Sequence, residues 1–268
     1  MRVPHWLLLL LTPLLAGWSQ GTYIWQSDAL LNRQTRRQEL RQLRQHGMTY
    51  LMVGLNGAQV RNPSTPGALR ALVQQAHTNG QQVILLLGDP AWITPKGRPQ
   101  VLALIQRFRD LPLDGVHLDL EVEQLGWPVP AHRLQQWIAT VQAAREASPW
   151  PLSLSVHPRW FEPATSAEMP SSPCVPCALK GVDSIDLMLY QRNAKRVSER
   201  TLAIAKRWPQ LSFRLAQSVE SGLPATESWR GSTASQLQTQ VRQWRDRLSP
   251  AGIGGVDWQD WASYPKDR

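Results

Sequence analysis

The chain has 268 residues, of which 42 % are hydrophobic and 18 % charged, so it can build a large core and is not a disordered chain. Its net charge of +9 is spread without a basic run, which argues against nucleic acid as a partner. Two cysteines exclude a disulfide-dense miniprotein and a four-cysteine zinc site, whereas 13 tryptophans suggest that some stack on flat ligands such as sugar rings.

The N-terminus has the pattern of an export signal. Arg2 supplies a positive start, and residues 7–16 form an apolar run of the length of a signal-peptide core. Small residues favour cleavage after Ser19, so we predict a signal peptide over 1–19 and one domain over 20–268. The alternative is an uncleaved membrane anchor, but the run is shorter than the roughly 20 residues that a spanning helix needs. We therefore expect a periplasmic or secreted protein without a stable membrane span.

Short β-prone runs alternate with segments of helical spacing along the rest of the chain. The runs cover residues 22–26, 50–55, 82–87, 115–121, 152–157, 184–190, 212–217 and 252–258. Eight such units, with parallel strands and helical crossovers, predict the α/β class and a single (β/α)8 TIM barrel. The fifth unit is irregular, because residues 158–182 are rich in proline and serine and show little helical period. No glycine-rich dinucleotide fingerprint follows the first strand.

Cys174 and Cys177 form a Cys-x-x-Cys motif inside that irregular segment. Such a motif can be a redox pair, half of a metal site or a small structural disulfide. A redox pair usually opens a helix after a strand, whereas three prolines make this segment resemble a loop. An oxidising compartment favours a local disulfide between Cys174 and Cys177.

The fourth strand concentrates titratable groups. Strand alternation places His117, Asp119 and Glu121 on one face and apolar residues on the other, and the apolar face must meet the helices. The polar face then points into the barrel and rises toward the C-terminal strand ends, where such barrels hold their active sites. Crowded carboxyls raise one another's pKa, which keeps one of them protonated as a general acid. The alternative is an internal hydrogen-bond network without catalysis.

This strand resembles the signature of glycoside hydrolase family 18, the chitinase-like barrels, in which Asp-x-x-Asp-x-Asp-x-Glu occupies the fourth strand. Asp114, Asp119 and Glu121 match that motif, and His117 replaces its second aspartate. Residues 188–190 resemble the sixth-strand Met-x-Tyr-Asp, with Gln191 in place of the aspartate. Residues 254–258 resemble the eighth-strand segment that ends in a tryptophan.

The resemblance implies roles for four residues. Glu121 would protonate the glycosidic oxygen, and Asp119 would orient the N-acetyl group of the substrate, which acts as the nucleophile. Tyr190 would hydrogen-bond that group, and Trp258 would lie under the sugar ring. His117 cannot share a proton as a carboxylate does, but it could pair with Asp119 as an imidazolium.

Glu220, after the seventh strand, offers a different second carboxylate. Many retaining glycosidases on this barrel place the acid/base after strand four and the nucleophile after strand seven, with the two carboxyls roughly 5 Å apart. Glu121 and Glu220 would fill those roles. The alternative is that Glu220 is an ordinary loop residue.

Further substrate contacts are expected from polar and aromatic residues at other strand ends. Besides His117, Tyr190 and Trp258, the candidates are Trp25, Trp92, Asn56, Asp89 and Gln191. Histidines elsewhere show no metal-ligand spacing, so neither a metal nor a cofactor is expected.

The sequence thus predicts an exported monomeric barrel that cleaves a polysaccharide or cell-envelope glycan with Glu121 as general acid. The net positive charge suits an anionic glycan by long-range attraction, or only serves solubility. One rival is a carbohydrate-binding barrel that has lost hydrolysis, since two motif acids are missing. Another is an exported structural barrel whose inward polar groups satisfy one another.

Overall fold

The eight β-prone runs form parallel strands that pair in chain order, and pairing of the first with the last closes the barrel. This result confirms the predicted TIM barrel. The computed structural model describes residues 17–163 and 173–266. The strands are β1 (Ser19–Ile24), β2 (Met48–Gly54), β3 (Gln82–Leu87), β4 (Gly115–Leu118), β5 (Leu152–Val156), β6 (Ser184–Met188), β7 (Phe213–Ser218) and β8 (Gly255–Gln259).

Helices follow the strands and cover the outside of the barrel. Each long helix turns its apolar stripe toward the strands, as helix Ala234–Leu248 does with Leu237, Val241 and Trp244. A capping box formed by Thr233 and Gln236 begins this helix. The helices are α1 (Asp28–Leu31), α2 (Arg36–Gln45), α3 (Gly57–Arg61), α4 (Thr65–Thr78), α5 (Arg98–Phe108), α6 (Ala131–Ala147), α7 (Val175–Ala178), α8 (Ala194–Arg207) and α9 (Ala234–Leu248).

The fifth unit is irregular, as predicted. Between β5 and β6 the described residues form only the 3₁₀ turn Pro158–Trp160 and the four-residue α7. Proline removes backbone donors and breaks longer helices, which explains why the described residues of this proline-rich segment form only short turns. A disulfide joins Cys174 and Cys177 at the start of α7. This unit therefore has a local disulfide bond, whereas the other units have a long packed helix.

The interior of the barrel is divided into an apolar half and a polar half. Tyr23, Met52, Ile84 and Leu86 form an inner apolar cluster on β1 to β3, separate from the large outer core between strands and helices. The inward positions of β4 to β8 carry buried polar side chains instead, namely His117, Ser153, Ser155, Asp186, Arg214 and Asp257. Buried polar groups need partners, so this half depends on a connected network.

Arg214 is the centre of that network near the N-terminal strand ends. Its Nε and Nη2 atoms donate to the two carboxylate oxygens of Asp257 at 2.6 and 2.7 Å. The guanidinium also lies 3.9 Å from Asp186 and stacks over the Tyr50 ring at 4.5 Å. A Cβ atom on Gly21 would lie 2.0 Å from Asp257 Oδ1, so β1 must present glycine where the carboxylate crosses the barrel.

The start of β1 belongs to the same contact set. Ser19 N–H donates to the Gly254 carbonyl at 3.0 Å, and Ser19 Oγ accepts a hydrogen bond from Arg214 Nη1 at 2.7 Å. β1 thus begins one residue before the predicted cleavage point. The apolar run of the predicted signal peptide lies outside the described residues, so the signal peptide stays a prediction. Across residues 17–163 and 173–266, no helix has the length and apolarity required to cross a membrane.

Removing the cation from this network tests its importance for stability. Arg214→Met should lower the free energy of unfolding by about 3–5 kcal/mol, because it leaves Asp257 and Asp186 buried beside each other without their cation. Urea denaturation at neutral pH measures the change. Adding Asp257→Asn should recover part of the loss. A loss of about 1 kcal/mol or less, as for a surface ion pair, would contradict this role.

Candidate active site

The polypeptide after β4 carries two acids to the C-terminal mouth of the barrel. Asp119 N–H donates to the Leu87 carbonyl at 2.9 Å, which prolongs the pairing with β3 past the end of β4. Glu121 then caps a 3₁₀ turn at Val122–Leu125. His117 points into the barrel, and Leu118 and Leu120 pack into the outer core. The predicted division of this strand into a polar inner and an apolar outer face therefore describes the observed arrangement.

The pKa of the Glu121 carboxyl lies close to neutral pH. Burial raises its pKa to about 7, and the negative charges of Asp119, Glu123 and Glu220 add to the effect. A hydrogen bond from Gln124 Nε2 to Glu121 Oε1 works in the opposite direction. A carboxyl with this pKa can donate a proton at neutral pH, as a general acid must.

Asp119 lies deeper than Glu121. Burial raises its pKa to about 6, a hydrogen bond with Ser155 opposes that rise, and the charge of Glu220 adds to it. Its Oδ1 atom is buried and has no hydrogen-bond partner among the described residues. A buried carboxylate oxygen without a donor is costly, so this atom is available to a hydrogen-bond donor of a bound ligand.

Tyr190, which follows β6, and Glu220, which follows β7, interact electrostatically with the same two acids. Burial raises the pKa of the Tyr190 hydroxyl, and the charges of Asp119, Glu121 and Glu220 raise it further. Glu220 Oε2 accepts a hydrogen bond from Ser218 Oγ at 3.3 Å. Burial and the charge of Asp260 raise the pKa of Glu220. The electrostatic effects of Asp119, Glu121 and Glu220 on one another and on Tyr190 indicate that the four groups lie near one another, and their roles stay predictions.

Four more predicted residues line one pocket at the ends of β2 and β3. The pocket has a volume of about 680 Å³ and includes Trp25, Asn56, Asp89 and Trp92 in its lining. The Trp25 ring lies over the ends of β2 and β3, where a Cβ atom on Gly88 would approach it to 2.6 Å. Residues of α3 and α5 complete the lining, so the pocket extends from these strand ends into the helix layer.

The polar groups of this pocket also stabilise local structure. Asn56 begins α3 through a capping box, and Asp89 accepts a hydrogen bond from Ala91 N–H at 2.9 Å. Trp92 Nε1 donates to Gln100 at 3.2 Å. Gln191 has a buried Oε1 atom without a hydrogen-bond partner among the described residues, so its amide resembles Asp119 in that respect. Substrate contacts of these residues stay predictions.

The prediction that His117 contacts substrate is wrong. Its side chain is 0 % exposed, and its two ring nitrogens lie 2.8 Å from Ser153 Oγ and Ser155 Oγ. Burial lowers its pKa to about 3, and the charge of Arg214 lowers it further. His117 is therefore a neutral part of the inner network at neutral pH and does not form an imidazolium pair with Asp119.

The prediction that Trp258 lines the sugar site is also wrong. Trp258 is 0 % exposed, and its ring packs against Trp244 of α9 and against Tyr264. Side chains alternate along a strand, and Asp257 points inward to Arg214, so Trp258 must point outward into the helix layer. The apolar residue belongs to the outer core, not to the mouth.

Asp114, the first acid of the resembled motif, is distant from the mouth. It precedes β4 at the N-terminal edge, where its Oδ2 atom accepts a hydrogen bond from Val83 N–H at 2.8 Å and lies 2.9 Å from His77 Nε2. His77 of α4 thus has a carboxylate partner. Asp114 connects β3 to β4 and contributes no group to the candidate site.

Sequence reasoning missed the residues that support the site from below. Tyr23 Oη donates to Asp186 Oδ2 at 3.0 Å and lies 2.8 Å from Ser155 Oγ. Burial raises the pKa of Asp186, and the neighbouring Asp257 adds to that rise. The missed signal is the alternation that places Asp186 inward on β6.

No group of three or more histidine, cysteine or acidic side chains in residues 17–163 and 173–266 could hold a metal ion.

The comparisons give the class of fold. No protein-family model matches the chain, and no curated protein matches it in sequence. A GH113 β-1,4-mannanase structure is 15 % identical with a TM-score of 0.58, over 94 % of this chain and 90 % of that chain. The C-terminal domain of a putative chitinase from Desulfitobacterium hafniense is 13 % identical with a TM-score of 0.61, over 93 % and 95 %.

A third similar structure is the spore cortex-lytic enzyme SleL of Bacillus megaterium, which is 11 % identical with a TM-score of 0.62, over 93 % of this chain and 72 % of that chain. Such low identities establish the fold alone. The chain is a TIM barrel whose structural neighbours are glycoside hydrolases. Membership of family 18 in particular is not established by these neighbours, because a mannanase of another family resembles the chain about as well.

Tryptophan substitutions separate the pocket from the core. Trp258→Ala should lower the free energy of unfolding by about 3–5 kcal/mol, because it empties a fully buried site. Trp25→Ala should cost less stability, because Trp25 is only partly buried at the mouth. Thermal and urea denaturation measure both variants. Equal losses of stability would contradict the assignment of Trp25 to the mouth.

Proposed function

We propose that the chain is an exported glycoside hydrolase that cleaves a polysaccharide or cell-envelope glycan with Glu121 as general acid. The observation that carries the proposal is a carboxyl group at the end of β4 with a pKa of about 7, crowded by Asp119 and Glu220. The glycoside-hydrolase neighbours of the fold support the reaction class. The export signal in the sequence and the Cys174–Cys177 disulfide support a location outside the cytoplasm.

Glycosidic bonds break when the leaving oxygen receives a proton while positive charge develops on the sugar ring. Protonated Glu121 would supply that proton at neutral pH. The carboxylate of Asp119, or that of Glu220, would stabilise the positive charge on the other side of the bond. Trp25 and Trp92, in the adjacent pocket, would offer flat apolar surfaces to neighbouring sugar rings.

Burial and charge support two assignments of the second carboxylate. Asp119 has a buried oxygen without a donor, which would accept the N–H of a substrate acetamido group, as in the substrate-assisted route. Glu220 is less buried and its charge acts on both Asp119 and Glu121, which suits a nucleophile in a retaining route. Family-18 chemistry corresponds to the first assignment.

A carbohydrate-binding barrel without hydrolysis is the second candidate function. His117 and Gln191 stand where the resembled family has acids, and His117 is a neutral core residue. A buried, neutral histidine cannot carry, at neutral pH, the proton that the second aspartate of the motif would hold. In that case, the mouth of the barrel would bind sugars and leave the glycosidic bond intact.

Substitution of the acid tests the hydrolase proposal. Glu121→Gln should lower kcat by roughly 10²–10⁴-fold on a soluble glycan substrate, because the amide keeps the shape but donates no acidic proton. A panel of neutral and anionic oligosaccharides, with product analysis by chromatography, measures turnover. Glu146→Gln, an exposed carboxyl on α6, is the matched control and should leave turnover unchanged.

Unchanged turnover in Glu121→Gln would contradict the role of Glu121. Binding of sugars without turnover by the native chain would favour the binding protein instead. Glu220→Gln distinguishes the two routes. Loss of activity comparable to that of Glu121→Gln supports the retaining route, whereas a mild loss with inactivation by Asp119→Asn supports the substrate-assisted route.

The pH profile follows from the two raised pKa values. Glu121 must be protonated, so kcat/KM should fall as pH rises through about 7. Asp119 must be ionised to stabilise positive charge, so kcat/KM should also fall as pH drops through about 6. Initial rates across this range should give a narrow bell-shaped dependence of kcat/KM on pH, with its maximum between the two pKa values. A plateau that extends well into alkaline pH would contradict the assignment of Glu121 as the acid.

A further inference from the structure

An exposed tryptophan lies on the rim next to the candidate acid. Trp127 is 47 % exposed and is the one exposed large hydrophobic residue in the part of the chain that the structure describes. The guanidinium of Arg159 lies 4.0 Å above its ring, and the Trp160 ring meets it edge-on at 6.4 Å. We call Trp127 and Arg159 together the rim shelf.

Within residues 17–163 and 173–266, no carboxylate forms an ion pair with Arg159. Its Nε atom donates to His157 Nδ1 at 2.9 Å. Burial lowers the pKa of His157 to about 4, so this partner is neutral and does not compensate the guanidinium charge. A half-buried, stacked guanidinium keeps its planar fork fixed, and that fork matches a carboxylate.

The rim shelf is tied to the loop that carries Glu121. Trp160 Nε1 donates to Glu123 Oε1 at 2.6 Å, and Glu123 is two residues after Glu121. Trp127 follows the same 3₁₀ turn that Glu121 caps. A glycan with one glycosidic bond at Glu121 would therefore pass the rim shelf with a neighbouring sugar.

We propose that the rim shelf binds a carboxylate on a sugar of the glycan chain, so that the substrate is an anionic polysaccharide. This inference rests on the proposed function, because it places the carboxylate relative to the bond cleaved at Glu121. The carboxylate belongs either to a uronic acid or to the lactyl ether of a muramic acid. Arg159 contacts it through the N–H groups that His157 does not occupy, and Trp127 holds the guanidinium plane in place. The net positive charge of the chain assists capture at long range.

Calorimetric titration of the Glu121→Gln variant tests the proposal without cleavage of the ligand. The probes are oligogalacturonate, unsubstituted peptidoglycan glycan strands, and the neutral mannan and chitin oligosaccharides. Adding Arg159→Gln should weaken binding of a carboxylated probe about tenfold or more, because charge-assisted hydrogen bonds disappear. Binding of a neutral probe should stay the same. Preference for oligogalacturonate or for glycan strands distinguishes the two sources of the carboxylate.

Three further variants sharpen the test. Arg159→Lys should recover only part of the affinity, because it keeps the charge and loses the planar fork. Trp127→Ala should resemble Arg159→Gln, because the guanidinium loses its support. Arg109→Gln removes an exposed charge at the end of α5, on the opposite face of the barrel, and should leave affinity unchanged. Circular dichroism confirms that each variant is folded.

Equal affinities of Arg159→Gln and Arg109→Gln for carboxylated probes would overturn the proposal, as would equal losses on neutral and carboxylated probes. The outcome is separable from that of the proposed function. If the native chain cleaves neutral glycans alone, the hydrolase stands and the rim shelf proposal fails. If the native chain cleaves no glycan while Arg159→Gln weakens carboxylate binding selectively, the binding site stands and the hydrolase fails.

Discussion

The ion pair between Arg214 and Asp257 is the contact on which the polar half of the barrel depends. It joins the neighbouring strands β7 and β8, and the guanidinium also reaches Asp186 on β6, Tyr50 on β2 and Ser19 at the start of β1. A buried charge must be compensated within hydrogen-bond distance. These residues therefore link the first and last strands by side-chain contacts, and they fill the lower barrel in place of apolar side chains.

The same network supports the candidate site above it. Asp186 bonds to Tyr23, Tyr23 lies beside Ser155, and Ser155 hydrogen-bonds Asp119. Each layer of inward side chains thus positions the next layer toward the mouth. His117 is a neutral member of this network. Above it, Asp119 and Glu121 lie where burial and neighbouring negative charges raise their pKa values.

The mouth itself combines three kinds of surface. Acids follow β4 and β7, Trp25 and Trp92 line a pocket over the ends of β2 and β3, and Trp127 stacks with Arg159 after β4 and β5. In the proposed function, these surfaces would serve a polymer that passes across the strand ends, and Arg159 would add a preference for negative charge.

The sequence by itself determined the eightfold alternation of strands and helices, the irregular fifth unit and the cluster of acids after β4, because periodicity and strand alternation are local properties. Only the tertiary structure decided which inward residues meet across the barrel. The family resemblance placed Trp258 under the sugar ring, yet Asp257 points inward to Arg214, so the next side chain, Trp258, points outward. Pairings such as Arg214 with Asp257, or Arg159 with Trp127, join distant segments, so no local pattern encodes them.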